Sequence, residues 1–142
     1  MNLQKAIDMI KDFEKCKLTA YQDGGGVWTI GWGSTGSDIS KGVVWTQEYA
    51  DGRFNAYFNF MALSVRRLIT EPISENEMCA VLSLCYNIGI EKFRHSTLLF
   101  KLNSKDRPKD IANEILRWNK DGGKAIAGLT RRRLAEHDLF VS

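Results

Sequence analysis

Three polar side chains near the start of the chain have the types and spacing for acid–base work: Glu14, Asp23 and Thr29, separated by eight and five residues. Two carboxyls and a hydroxyl are what hydrolysis of a glycosidic bond requires. One carboxylic acid protonates the leaving oxygen. The other carboxylate stabilises the developing oxocarbenium charge, activates a water or attacks directly, and a hydroxyl can hold the water in line. Each residue alone also has a plainer explanation. Aspartate suits a glycine-rich turn for backbone reasons, threonine suits a strand because it is β-branched, and glutamate at a helix end is ordinarily just solvated. Their weight therefore depends on the elements that carry them.

Leu3, Ile7, Ile10 and Phe13 recur at helical spacing, which predicts an amphipathic helix over residues 3–13. Glu14 continues the stripe of Ile7 and Ile10. Partial desolvation at that point favours the protonated carboxyl that a general acid needs. The period then changes. Residues 17–21 and 27–32 read as strands around Gln22-Asp23-Gly24-Gly25-Gly26, which predicts a β-hairpin. Alternation directs Trp28, Ile30 and Trp32 to a core. It leaves Thr29 facing an opening, with Gly31 beside it for close approach of a ligand. From Thr46 helices dominate: residues 47–69 with Gly52 as a weak point, then a helix to Ile88 opened by the capping box Ser74-x-x-Glu77 and stopped by Gly89. Ser96 and Thr97 open a short helix to Leu102, and Pro108 opens another ending near Trp118. A loop bracketed by Gly122-Gly123 and Gly128 precedes a final helix over 129–140.

The 142 residues, 44% hydrophobic and 26% charged, suit one folded unit and exclude a disordered chain. A net charge of +3 is mild; it favours an anionic polymer without choosing which. Arg131, Arg132 and Arg133 read as a solvated helix face, and without a dispersed basic surface no nucleic-acid partner is expected. Cys16, Cys79 and Cys85 are odd in number, with no CxxC and no nearby His pair. They predict three reduced, mostly buried thiols, with no metal and no other cofactor. The first fifteen residues lack the apolar core and cleavage site of a signal peptide. The apolar run 78–86 is too short to span a bilayer, so no stable membrane insertion is expected.

The spacing Glu14, Asp23, Thr29 resembles the catalytic signature of the phage-type lysozymes, the endolysins of glycoside hydrolase family 24. Phe13-Glu14, Tyr21-Gln22-Asp23 and Trp28-Thr29-Ile30-Gly31-Trp32-Gly33 carry it at the start. Ser83–Gly89, Phe93–Leu99, Leu116–Lys120, Gly128–Arg133 and Glu136 continue it in order, and only about residues 38–72 match weakly. The resemblance implies an α+β lysozyme-like fold: a small N-terminal lobe bearing the hairpin (about 13–60) and a larger all-helical lobe (about 61–142) with helix 3–13 packed on it. These would form one domain, 1–142, with the active-site cleft between the lobes. It implies an endolysin muramidase that cleaves the β-1,4 bond between N-acetylmuramic acid and N-acetylglucosamine in peptidoglycan and so lyses the host bacterium. Glu14 would be the general acid, and Asp23 and Thr29 would position the attacking water with inversion at the sugar carbon. Thr35, Tyr86, Asn87 and Ser96 would contact substrate, and Arg132 would support Glu14. The resemblance further implies a monomer that accumulates in the host cytoplasm and reaches the wall through a membrane lesion made by a separate holin-type protein.

Two positions depart from the pattern: Lys15 stands where the family usually has glycine after its catalytic glutamate, and Ser34 where it often has histidine. Lysine lacks the left-handed freedom of glycine and brings a charge beside Glu14, and Ser34 cannot make the ion pair of a histidine; neither touches the three catalytic positions, so retained activity with a shifted pH profile is expected. Two rival readings share the target. A lytic transglycosylase would cleave the same bond without water, but such enzymes are credited with one essential carboxylate, and here there are two. A catalytically silent peptidoglycan-binding protein would not need the intact set.

Overall fold

The computed structural model describes all of residues 1–142. The chain resolves into two compact units, one of residues Ile10–Phe60 and one of Met1–Met9 with Met61–Ser142. No helix is long and apolar enough to cross a membrane.

The smaller unit begins in the last part of helix α1 (Gln4–Glu14). Strands β1 (Lys17–Gln22) and β2 (Trp28–Gly31) follow as an antiparallel hairpin. The register runs Gln22 opposite Trp28 and Tyr21 opposite Thr29, then slips, so that Lys17 faces Gly31. This bulge in β1 disturbs strict alternation. β2 is covered on both faces: Thr29 is 5% exposed and Ile30 fully buried, while Trp28 and Trp32 are only half-buried. Thr29 therefore does not face the opening that alternation predicts. Gly31 serves packing, with φ +66 and the Trp45 ring 3.1 Å from where a Cβ would stand, rather than the approach of a ligand. The outer edge of β1 is paired too, since Trp45 N donates to Leu18 O and Ala20 N to Val43 O. Ile30, Ile39, Trp45 and Ala50 form the core of the unit.

Helix α2 (Gln47–Leu68) runs unbroken through Gly52, where the sequence signals a weak point. Its first part belongs to the smaller unit and its last turns to the larger. The larger unit then builds on α3 (Glu75–Ile88), whose capping box is formed as predicted: Ser74 Oγ accepts from Glu77 N, and Glu77 Oε1 accepts from Ser74 N. Met78 to Cys85 are all buried in this helix. α3 packs on α7 (Ala127–Val141), and α7 also contacts α6 (Pro108–Ile115), which meets α5 (Thr97–Asn103). The short α4 (Ile90–Arg94) has no counterpart in the sequence reading, because five residues carry too little periodicity to show. A two-residue ladder of β3 (Lys120–Asp121) and β4 (Lys124–Ala125) lies where a plain loop is predicted; Gly122 and Gly123, both at positive φ, make its turn. Cys79 and Cys85 are buried, Cys16 is half-buried, and no disulfide joins them.

Candidate active site

Glu14, Asp23 and Thr29 all lie in the smaller unit. Glu14 closes α1 and is half-buried. The chain leaves that helix through Lys15 at φ +59, a left-handed conformation that costs a residue with a Cβ. Beyond β2 the backbone folds back on itself. Ile30 and Ser34 exchange both of their backbone hydrogen bonds, at 3.0 and 2.8 Å. The returning turn presents Gly33 to Glu14: a Cβ added there would stand 2.5 Å from Glu14 Oε1. Only glycine lets the backbone lie this close to the carboxyl, and φ +86 suits it as well.

Asp23 orders the hairpin turn and keeps part of itself in reserve. Its Oδ1 accepts from Gly25 N and Val27 N, both at 2.9 Å, while the backbone of Asp23 pairs with Val27 and Gly26. The turn explains Oδ1 completely. Oδ2 has no partner in the chain, and the residue is exposed. Thr29 is enclosed, and its hydroxyl donates to Val27 O at 3.0 Å. The carbonyl can only accept, so the threonine proton is committed and its oxygen lone pairs remain for a donor.

Tyr21, opposite Thr29 in the ladder, is a further candidate for this site, to which the sequence alone assigned no role. Burial pushes its phenol above the usual value, and the charges of Glu14 and then Asp23 push it further. One hydroxyl therefore senses both carboxylates. Its place two residues before Asp23, on a strand facing Thr29, was the available signal. Trp32 is pinned beside this region by a 2.7 Å bond from its indole N–H to Asp51 Oδ1, with Lys11 Nζ 5.0 Å from its ring centre.

Thr35 is exposed in the smaller unit, after the Gly33 turn. Tyr86, Asn87, Ser96 and Arg132 belong to the larger unit. Tyr86 is half-buried and Asn87 exposed near the end of α3. Ser96 is the N-cap of α5: its oxygen accepts from Leu99 N at 3.1 Å and donates to Phe93 O at 2.7 Å, which gives it a structural task. The arginine run is not the solvated face predicted. Arg131 is exposed, but Arg132 is 4% and Arg133 0% exposed, both gathered around the fully buried Glu136 on their own helix. Burial drives the Glu136 carboxyl above its usual range, and the two guanidiniums oppose that shift. No group of three or more His, Cys, Asp or Glu side chains is placed to hold a metal ion.

The family model described as phage lysozyme matches residues 11–136. The chain is 35% identical to the endolysin of Bacillus phage B103 over all of its own length; it spans 55% of that relative. It thus covers about half the length of the first curated relatives it matches. Among solved structures, the endolysin from Escherichia coli O157:H7 phage FAHEc1 superposes with a TM-score of 0.85 at 33% identity, covering 100% of this chain and 94% of that one. The muramidase domain of SpmX from Asticaccaulis excentricus gives a TM-score of 0.84 at 32% identity, covering 96% of this chain and 95% of that one.

Proposed function

The chain belongs to the phage lysozyme family, and on that premise we propose that it is an endolysin muramidase of lysozyme-like α+β fold. It hydrolyses the β-1,4 bond between N-acetylmuramic acid and N-acetylglucosamine and so lyses the host cell. The observation that carries this reading is the arrangement of Glu14, Asp23 and Thr29 around one hairpin, with Tyr21 under the influence of both carboxylates.

Glu14 delivers its proton to the glycosidic oxygen as the bond to the anomeric carbon breaks, and the bonding electron pair leaves with that oxygen. A water attacks the anomeric carbon from the opposite face. It gives one proton to Asp23 Oδ2, the carboxylate oxygen that the turn does not occupy. Its other hydrogen points to Thr29 Oγ1, which is free to accept because its own proton is held by Val27 O. The product is inverted at the sugar carbon. Thr35, Tyr86 and Asn87 contact the glycan. The resemblance adds Ser96 to that group and gives Arg132 the support of Glu14. The protein acts as a monomer, accumulates in the host cytoplasm and reaches the wall after a separate holin-type protein opens the membrane.

Mass spectrometry of purified peptidoglycan after digestion tests the reaction. Reducing sugar ends carrying one added water support hydrolysis. Anhydro ends would make the protein a lytic transglycosylase, and no released fragments would leave a binding protein.

A further inference from the structure

Two side-chain oxygens of the hairpin are left over by the fold, and both belong to one end of it. Asp23 Oδ2 is the first. The second is the hydroxyl of Tyr21, which makes no hydrogen bond within the chain although the side chain is half-buried. A phenol so placed ordinarily finds a partner. Tyr21 lies opposite Thr29 on the turn side of the slip, where the register is regular. Residues directly opposite in an antiparallel pair send their side chains to the same face, with Cβ atoms about 4.5–5.5 Å apart. The pairing continues past the strand, since Asp23 N donates to Val27 O at 2.9 Å. Alternation therefore returns Asp23, two residues on, to the face of Tyr21. Lys17 Nζ stands 5.1 Å from the centre of the Tyr21 ring and engages its face.

A water shared by Asp23 and Thr29 needs what this hydroxyl can give. Its hydrogens go to Asp23 Oδ2 and to Thr29 Oγ1, the second because the threonine proton is committed to Val27 O at 3.0 Å. Both lone pairs of the water remain, and only one of them can attack. Held through its hydrogens alone, the water rocks about those two bonds and the attacking pair swings off the reaction line. A donor on the other lone pair stops that motion. Asp23 and Thr29 cannot be that donor, because both accept from the water. The phenol can: burial, and then the charges of Glu14 and Asp23, keep its proton on.

We propose that Tyr21 is a further catalytic residue: its hydroxyl donates to the lone pair of the attacking water that does not attack, and so aims the other at the anomeric carbon. This rests on the hydrolytic reading above. Tyr21 transfers no proton. The water's proton still goes to Asp23 Oδ2, its aimed lone pair forms the new bond to carbon, and the pair of the broken glycosidic bond takes the proton of Glu14. A hydroxyl with this task acts on the rate of the chemical step, whereas one that merely touched the bound sugar would act on affinity.

Tyr21→Phe isolates the claim, because it removes the oxygen and keeps the ring beside Lys17. The parameters kcat and KM on purified peptidoglycan strands are measured for the wild type, Tyr21→Phe, Thr29→Val and the double variant. Tyr21→Phe should lower kcat about tenfold, the worth of one good hydrogen bond, with KM and the melting temperature unchanged. Both hydroxyls hold one water, so the double variant should lose much less than the product of the two single losses. A wild-type kcat in folded Tyr21→Phe would overturn the proposal. A loss confined to KM would do the same and make Tyr21 a sugar contact, as would single losses that multiply in full. Should Tyr21→Phe not fold, the wild type decides: the carbon resonance beside the Tyr21 hydroxyl should move as the carboxylates titrate, and one that ignores them overturns the proposal. A wild type that releases no reducing ends removes the hydrolytic reading itself, an outcome separable from the others.

Discussion

Replacing Glu14 by glutamine removes a transferable proton and little else. Glu14→Gln should lower wall lysis by about a hundredfold to ten-thousandfold, the usual worth of general acid catalysis, with an unaltered circular dichroism spectrum. Near-normal lysis would place the acid elsewhere. Gly33 offers a second test of the same carboxyl. A methyl group there would meet Glu14 Oε1 at 2.5 Å, and the flexible glutamate would yield before the backbone does. Gly33→Ala should therefore cut turnover at least tenfold by displacing the acid, and it should also destabilise a backbone at φ +86. Turnover equal to the wild type would show that the position of Glu14 beside this turn does not matter.

At the scale of elements, two helices carry a correctable defect. α1 leaves through Lys15 in a left-handed conformation, where glycine escapes the Cβ penalty. Its ion pair to Asp12, at 3.6 Å, is too exposed to be missed. Lys15→Gly should raise stability by about 1 kcal/mol, or roughly 3 °C in melting temperature. α2 carries the reverse defect. Gly52 lies in an exposed helix interior with nothing within 4 Å of an added Cβ, and Gly52→Ala should stabilise by about 0.5–1 kcal/mol. Thermal melts of both variants check these signs. A loss of stability in either would mean that the glycine or lysine serves a contact outside its own helix.

The whole molecule answers acid unevenly. Asp51 is held below the usual aspartate range by the Trp32 indole and then Gln47, and Asp38 mainly by Arg53, whose Nη1 lies 2.6 Å away. A depressed folded value means stability that is present above about pH 4, the unfolded value, and lost as pH falls through the folded one. Both groups serve the smaller unit. Glu136, in the larger one, has a raised value, so its contribution is fully present below the unfolded pKa and lost as pH rises through the folded one. Acid should thus loosen residues 10–60 and spare the contact of α3 with α7. The Trp32 indole N–H resonance reports this, shifting only well below pH 4. A midpoint at or above pH 4 would mean that Asp51 gains nothing from its two donors.

What could be read from residue order was local. The α1 stripe, the glycine-rich hairpin turn and the Ser74–Glu77 capping box depend on neighbours a few positions apart, and the structure forms each of these elements where predicted. Short-range rules failed where distant partners took over. Thr29 is buried on a face that alternation leaves open. Arg132 and Arg133 read as surface charge, since burying a guanidinium is costly. Glu136 on the same helix, with Ser83, Asn87 and Trp118 brought from elsewhere in the chain, offsets that cost. Residue types and spacing named the groups proposed to do the chemistry. Which residue stands opposite Tyr21, and which oxygen of Asp23 is left over, were decided only when the folded chain supplied their other partners.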